Sequence, residues 1–215
     1  MSSEQRVREH FEADAPRFDA IYDEEKGRFA RFVDDVWRGV VRKRLELALE
    51  RLTPLEGKSI LDVGTGSGRY CLAYAQNGAR RTVGIDFAEG MIDLARSHAA
   101  RLGLEDRCEF IVGPFPEALP PERFDAASAM GFFDYVPNAA ELVRAMRERV
   151  DSTLIMSFPK RHEWRVPVRR LRFLLMRCPL YLYSADELRR VLSDAGIGAY
   201  DWIDLGRDYV IVARV

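Results

Sequence analysis

The stretch Leu61-Asp62-Val63-Gly64-Thr65-Gly66-Ser67-Gly68 gathers the residue types best suited to holding a ligand. Gly64 and Gly66 can take backbone angles closed to other residues, so a loop built on them passes close to a bound molecule. Gly68 lets the helix that follows pack tightly on the strand before it. Spacing narrows the choice of ligand. A dinucleotide fingerprint is Gly-x-Gly-x-x-Gly, whereas this chain has Gly-x-Gly-x-Gly followed by Arg69. A phosphate-binding loop needs Gly-Lys-Ser/Thr, which this stretch lacks. Asp62 stands two residues before the first glycine. A carboxylate there repels a pyrophosphate and attracts a cation.

A second acid follows at a useful distance. Val83-Gly84-Ile85-Asp86-Phe87 puts Asp86 22 residues after Gly64. A carboxylate at the end of a second strand can accept both hydroxyls of a ribose. Phe87 and Met91 can flank an adenine. The ligand described by these residues is a nucleoside carrying positive ammonium and sulfonium groups. Candidates for proton transfer lie later in the chain, at Asp134, Tyr135 and His162, near expected strand ends. Asp134 could equally cap the next helix, and a loop histidine such as His162 is commonly structural. His10 and His98 fall on expected helices and are read as exposed.

These residues need a scaffold that brings strand ends together. Short apolar strands are expected at 59–63, 81–85, 108–112, 124–130 and 153–158, with helices near 70–76, 89–102 and after Asn138. Strands alternating with helices at this spacing indicate βαβ units and a parallel sheet. Ser184 and Glu187 have the spacing of a capping box for a helix to about Ala195. Residues 197–205 and 208–215 then read as a terminal hairpin, so the last strand runs antiparallel. Residues 4–52 read as helical, with Phe29, Phe32, Val33, Val36, Val40 and Val41 at three- and four-residue spacing.

Asp62, the glycines Gly64, Gly66 and Gly68 with Thr65, and the partner acid Asp86 together resemble the cofactor motifs of class I S-adenosylmethionine (SAM) dependent methyltransferases. The resemblance implies an α/β, Rossmann-like, doubly wound seven-stranded sheet of order 3-2-1-4-5-7-6 with N-terminal helices. It divides the chain into an N-terminal helical lid segment, 1–54, and a SAM-binding core, 55–215. Met130, at the end of the fourth strand, is expected beside the cofactor. One position departs from the family pattern. Val112-Gly113-Pro114-Phe115 has no acid for the adenine amino group, so backbone atoms and Phe115 are expected there instead. A narrower likeness, to the magnesium-protoporphyrin and ubiquinone-pathway O-methyltransferases, rests on Phe11 to Tyr22, Ser157 to Lys160 and Tyr181 to Ser184. In that group the N-terminal segment folds over the cofactor and implies a lid role for Tyr22; a packed helix aromatic is the other reading of that residue.

The expected reaction is methyl transfer from SAM to oxygen or nitrogen of a small-molecule acceptor, releasing S-adenosylhomocysteine. A protein or RNA methyltransferase of the same fold, and a SAM-binding subunit without catalysis, are the alternatives. Met130-Gly131-Phe132-Phe133 carries neither the Asn/Asp-Pro-Pro-Tyr/Phe of amino-methylating DNA enzymes nor a Pro-Cys nucleophile. DNA is therefore not expected as partner, nor is a metal. Lys+Arg is 33 against Asp+Glu 34, so no bulk attraction to nucleic acid or membrane is implied.

Charge is locally uneven. The insertion 159–183 holds Lys160, Arg161, Arg165, Arg169, Arg170, Arg172 and Arg177 against Glu163 alone, interleaved with apolar residues. This reads as a cap helix with a solvated basic face, as a site for an anionic acceptor, or as a surface making transient contact with membrane to fetch a lipophilic one. Cys71, Cys108 and Cys178 lie at no metal-ligand spacing. With no apolar signal segment at the N-terminus and no membrane-length run, a cytoplasmic monomer or homodimer is expected.

Overall fold

A computed structural model describes residues 28–162, 166 and 179–215. Twelve elements follow in order: α1 Arg28–Leu52, β1 Ser59–Val63, α2 Arg69–Gln76, β2 Arg81–Asp86, α3 Glu89–Leu102, β3 Cys108–Val112, β4 Phe124–Ala129, α4 Ala139–Glu148, β5 Val150–Pro159, α5 Ala185–Asp194, β6 Ala199–Asp204 and β7 Asp208–Arg214. They build a seven-stranded sheet in the order β3-β2-β1-β4-β5-β7-β6. The β1–β5 pairs are parallel, and β7 pairs antiparallel with both β5 and β6. Fold class and strand order agree with the expectation. Boundaries differ slightly: β4 stops at Ala129 and β5 begins at Val150. Tyr22, residues 1–27 and most of the basic insertion lie outside the described residues.

Both sheet faces are covered, which is why β1 is buried at every position. Alternation sends Leu61 and Val63 into the core with Phe133, Phe158, Leu188 and Leu192. Ile60 faces the opposite side, with Ala48 and Leu52 of α1, Tyr74 of α2 and Val210. A third cluster joins α2, α3 and β3 through Cys71, Leu72, Ile92, Ala95 and Phe110. Leu52 meets Ile60 in the second cluster, near the amino end of β1. Arg44, two turns earlier on α1, bonds Asp208, whose partner in the sheet is Pro159 at the carboxyl end of β5. Helix α1 therefore descends from the carboxyl edge of the sheet, where the glycine turn lies, to the opposite edge.

Helix starts illustrate local chemistry. Ser184 Oγ accepts from Glu187 N–H while Glu187 Oε2 accepts from Ser184 N–H, the expected capping box of α5. Asn138 holds the N-cap position of α4, but its side chain donates to Glu141 rather than capping a backbone N–H.

Candidate cofactor and acceptor site

The turn between β1 and α2 is fastened to β2 by its backbone. Gly64 and Thr65 N–H both donate to Ile85 carbonyl, at 2.9 and 3.1 Å. Gly66 N–H donates to Asp86 Oδ2 at 2.9 Å, and Ala88 N–H to Oδ1 at 3.0 Å. Each Asp86 oxygen keeps a further lone pair for an outside donor. Burial pushes the Asp86 carboxyl up, while the three backbone N–H groups around it pull the other way. Gly64 and Gly68 have φ of 71° and 79°, a region side chains disfavour. A Cβ on Gly68 would lie 2.9 Å from Ala95 Cβ, so the glycine is what allows α2 and α3 to close on one another.

Asp62 is 1% exposed and faces β4. Ser128 Oγ donates to its Oδ1 at 2.6 Å, and Oδ2 has no hydrogen-bond partner among the described residues. Burial raises its pKa to about 7, against the pull of the Ser128 and Thr65 hydroxyls; Asp86 nearby adds to the rise. A buried carboxylate oxygen left open beside a glycine turn is suited to a cation that the chain itself does not supply.

The other expected residues sit as follows. Thr65 is buried, its hydroxyl 3.6 Å from Cys71 Sγ and close enough to Asp62 to favour the ionised carboxylate. Met91 is buried beneath Gly66, its Cε 3.4 Å from where a Cβ would stand. Phe87 is half-buried at the end of β2. Phe115 is 8% exposed and belongs to the main core, with Pro114 exposed next to it. Met130 is buried on the α1 side. Gly131 N–H donates to Ser157 Oγ at 2.8 Å.

The segment after β4 is pinned by aromatics. Phe133 stacks on Phe158 with centroids 4.4 Å apart, and Phe158 meets Tyr183 edge-on. Tyr183 Oη donates to Phe133 carbonyl, and Tyr181 N–H donates to Asp134 carbonyl at 2.9 Å. Asp134 is buried and Tyr135 half-buried at this strand end. His162 is exposed, one residue after Arg161, whose N–H donates to Tyr183 carbonyl at 2.9 Å. His98, expected to be exposed, is instead 4% exposed, with Nδ1 3.2 Å from Ser67 carbonyl. The α3 face that packs on the glycine turn is wider than apolar periodicity alone suggested.

Several contributors carry no motif signal. Phe132 lies over Gly64, where a Cβ would come 2.6 Å from its Cδ2. Ser128, Ser157, Arg44 and Asp208 are brought in by strand register and helix packing. Of the basic insertion, Lys160 is bound to Asp204 and Arg161 to Glu187, so neither is held in reserve for an anion. Among the described residues no group of three or more His, Cys, Asp or Glu is arranged to hold a metal ion. No helix among them is long and apolar enough to cross a membrane.

Residues 60–152 match the family described as "Methyltransferase domain". That match spans β1 to the start of β5 and includes both acids and the glycine turn. Residues 60–152 are thus a methyltransferase-like segment of the chain. The chain is 31% identical over 131 residues to the ubiquinone biosynthesis O-methyltransferase of Coxiella burnetii, covering 56% of this chain and 54% of that one. It is 37% identical over 91 residues to the protein of the same name from Stutzerimonas stutzeri, covering 42% and 39%. The chain thus spans about half, or less, of the length of these relatives. In fold it is similar to magnesium protoporphyrin IX methyltransferase from Synechocystis PCC 6803 with bound S-adenosylhomocysteine. There the TM-score is 0.79 at 20% identity, over 98% of this chain and 99% of that one.

Proposed function

We propose that this protein is a methyltransferase that moves a methyl group from SAM to oxygen or nitrogen of a small-molecule acceptor. The observation that carries the cofactor reading is the open Oδ2 of Asp62, a buried carboxylate oxygen beside the glycine turn. It fits the ammonium of the methionine portion. Asp86 fits the ribose hydroxyls, with Gly64 and Gly66 presenting backbone and Phe87 and Met91 bordering the base. When bound, the cofactor supplies an electrophilic methyl on a sulfur that is already a good leaving group. What remains for the protein is alignment of an acceptor in line with that bond.

The acceptor side is assigned to the segment after β4. Asp134 and Tyr135 are held there by the aromatic stack and by the Tyr181 hydrogen bond. His162, exposed beside the end of β5, is the third candidate for proton transfer. A lid role for the N-terminal segment is part of the same proposal: α1 starts at the carboxyl edge of the sheet, the side where the cofactor would lie.

Calorimetric titration with SAM, followed by assay of S-adenosylhomocysteine release with small-molecule, peptide and RNA pools, tests this reading. Saturable binding and turnover with the small-molecule pool is expected. Binding without turnover in any pool would favour a non-catalytic subunit, and release only with peptide or RNA would replace the acceptor class.

A further inference from the structure

A charged pair lies on the acceptor side. Arg44 of α1 is 9% exposed and Asp208 is fully buried. Arg44 Nε donates to Asp208 Oδ2 at 3.1 Å, and Nη2 reaches the same oxygen at 2.7 Å. One edge of the guanidinium is thereby used. The other edge is directed at the turn after β4: Nη1 lies 3.1 Å from the place a Cβ on Gly131 would occupy. Nη1 has no hydrogen-bond partner among the described residues. Asp134 and Tyr70 are electrostatic neighbours of the guanidinium, but neither forms an ion pair with it among the described residues.

An arginine held this way serves a purpose that a plain staple between helix and sheet does not need. A staple uses the edge facing Asp208. The second edge, almost wholly buried and still rich in donors, is the geometry for a second oxyanion. Gly131 is what keeps that edge clear, since any side chain there would meet Nη1. Gly131 also directly follows Met130 at the strand end assigned to the reaction.

Resting on the methyl-transfer reading, we infer that Arg44 is the acceptor-binding residue, receiving an acceptor whose oxygen arrives as an oxyanion, a carboxylate or an ionised acidic hydroxyl. Asp208 positions it. The acceptor has lost its proton to solvent before it docks. The oxyanion then forms the new O–CH3 bond as the S–CH3 bond breaks. The bonding pair stays on sulfur, so the sulfonium and the oxyanion become a neutral thioether and a neutral ester or ether. Asp134 is then a neighbour of the reacting charge rather than the group that must remove a proton.

The test uses benzoate and its uncharged counterpart benzamide, titrated into the full chain saturated with S-adenosylhomocysteine and followed by backbone amide NMR shifts. Wild type should saturate with benzoate and not with benzamide, with shifts centred on Gly131. Arg44→Met combined with Asp208→Asn leaves no buried charge without its partner, and should weaken benzoate by roughly tenfold or more, the worth of a charge-assisted hydrogen bond. Asp208→Asn alone keeps the arginine and removes its counter-charge, so benzoate should bind at least as tightly as to wild type. S-adenosylhomocysteine affinity, measured by calorimetry in each variant, reports that the cofactor half is folded. Absence of saturation in wild type overturns the inference. So does unchanged benzoate affinity in the double variant, or a loss in Asp208→Asn equal to that in the double variant. Failure of S-adenosylhomocysteine to bind wild type would instead overturn the cofactor reading beneath it.

Discussion

Asp62 and Ser128 are register partners on adjacent parallel strands, and the serine hydroxyl donates to one carboxylate oxygen at 2.6 Å while the other oxygen stays open. Burial has raised the Asp62 pKa to about 7. Between the ordinary carboxylate range and about pH 7, the folded, ligand-free chain therefore holds a proton on Asp62 that the unfolded chain has released. Its contribution to stability is complete below the unfolded carboxylate pKa and is lost as pH rises toward 7. A cationic ligand needs the ionised form, so binding expels that proton. SAM affinity should rise by up to about tenfold per pH unit below the Asp62 pKa and level off above it. Calorimetry between about pH 5 and pH 8 checks this, with Asp62→Asn flattening the profile and weakening binding. Ser128→Ala removes a hydrogen bond that favours the ionised form, so its profile should shift to higher pH. A flat wild-type profile would mean that Asp62 does not meet the cation.

Gly64 and Phe132 give a second prediction. At φ 71°, with Phe132 Cδ2 2.6 Å from the position of a new Cβ, Gly64→Ala meets backbone strain and a clash together. The left-handed angle alone costs roughly 1–2 kcal/mol. Thermal unfolding should show a lower Tm, and SAM affinity should fall. Adding Phe132→Ala removes the 2.6 Å ring contact but leaves the Cβ contact at 3.1 Å and the strain, so the double variant should recover only part of the lost stability. Full recovery would show that the turn tolerates a side chain there, and that the glycine is kept for space alone.

At Gly68 the obstruction lies on the other side of the turn. Its Cβ would press on Ala95 at 2.9 Å and on the Phe110 ring at 3.0 Å, again at positive φ. Alanine there must push α2 away from α3, and cost of about 1–3 kcal/mol is the usual range for overpacking. Because α2 begins at this residue, the loss should appear both in urea unfolding and in faster amide exchange over 69–76. Exchange confined to the turn would contradict the packing account.

Much of this arrangement could be read from residue order. The alternation of short apolar strands with amphipathic helices indicates a parallel sheet, and the turn at Gly206 an antiparallel last strand; the strand order follows from the resemblance of the motifs, and the structure has it. Asp62, the glycines and Asp86 were legible because each depends on local spacing along one strand-turn-helix unit. Other contributors depend on register and crossing instead. Ser128 reaches Asp62 only because β4 lies beside β1, and Arg44 reaches Asp208 across 164 positions. Phe132 was visible as an aromatic after a strand, but its place over Gly64 follows from how the chain leaves β4. His98 looked like a surface histidine because helical periodicity does not report that a glycine turn will pack against α3.

The capping box of α5 separates stability from chemistry. Ser184 and Glu187 satisfy each other's backbone N–H at the start of a helix whose Leu188 and Leu192 are fully buried in the main core. Losing the cap frays the first turn, just where those leucines begin to dock. Ser184→Ala should cost about 0.5–2 kcal/mol, read as a lower urea midpoint with an unchanged slope. Glu187→Gln can still reach back to Ser184 N–H, but it forfeits the carboxylate's ion pair with Arg161, a 2.7 Å contact between half-exposed groups. Its cost should therefore be smaller, within the ~1 kcal/mol of an exposed pair. Neither change touches the glycine turn or the segment after β4, so S-adenosylhomocysteine affinity below the unfolding transition should match wild type. A parallel loss of affinity would mean that α5 sets the geometry of the cofactor edge through Tyr183 and the aromatic stack, and not merely the thickness of the core.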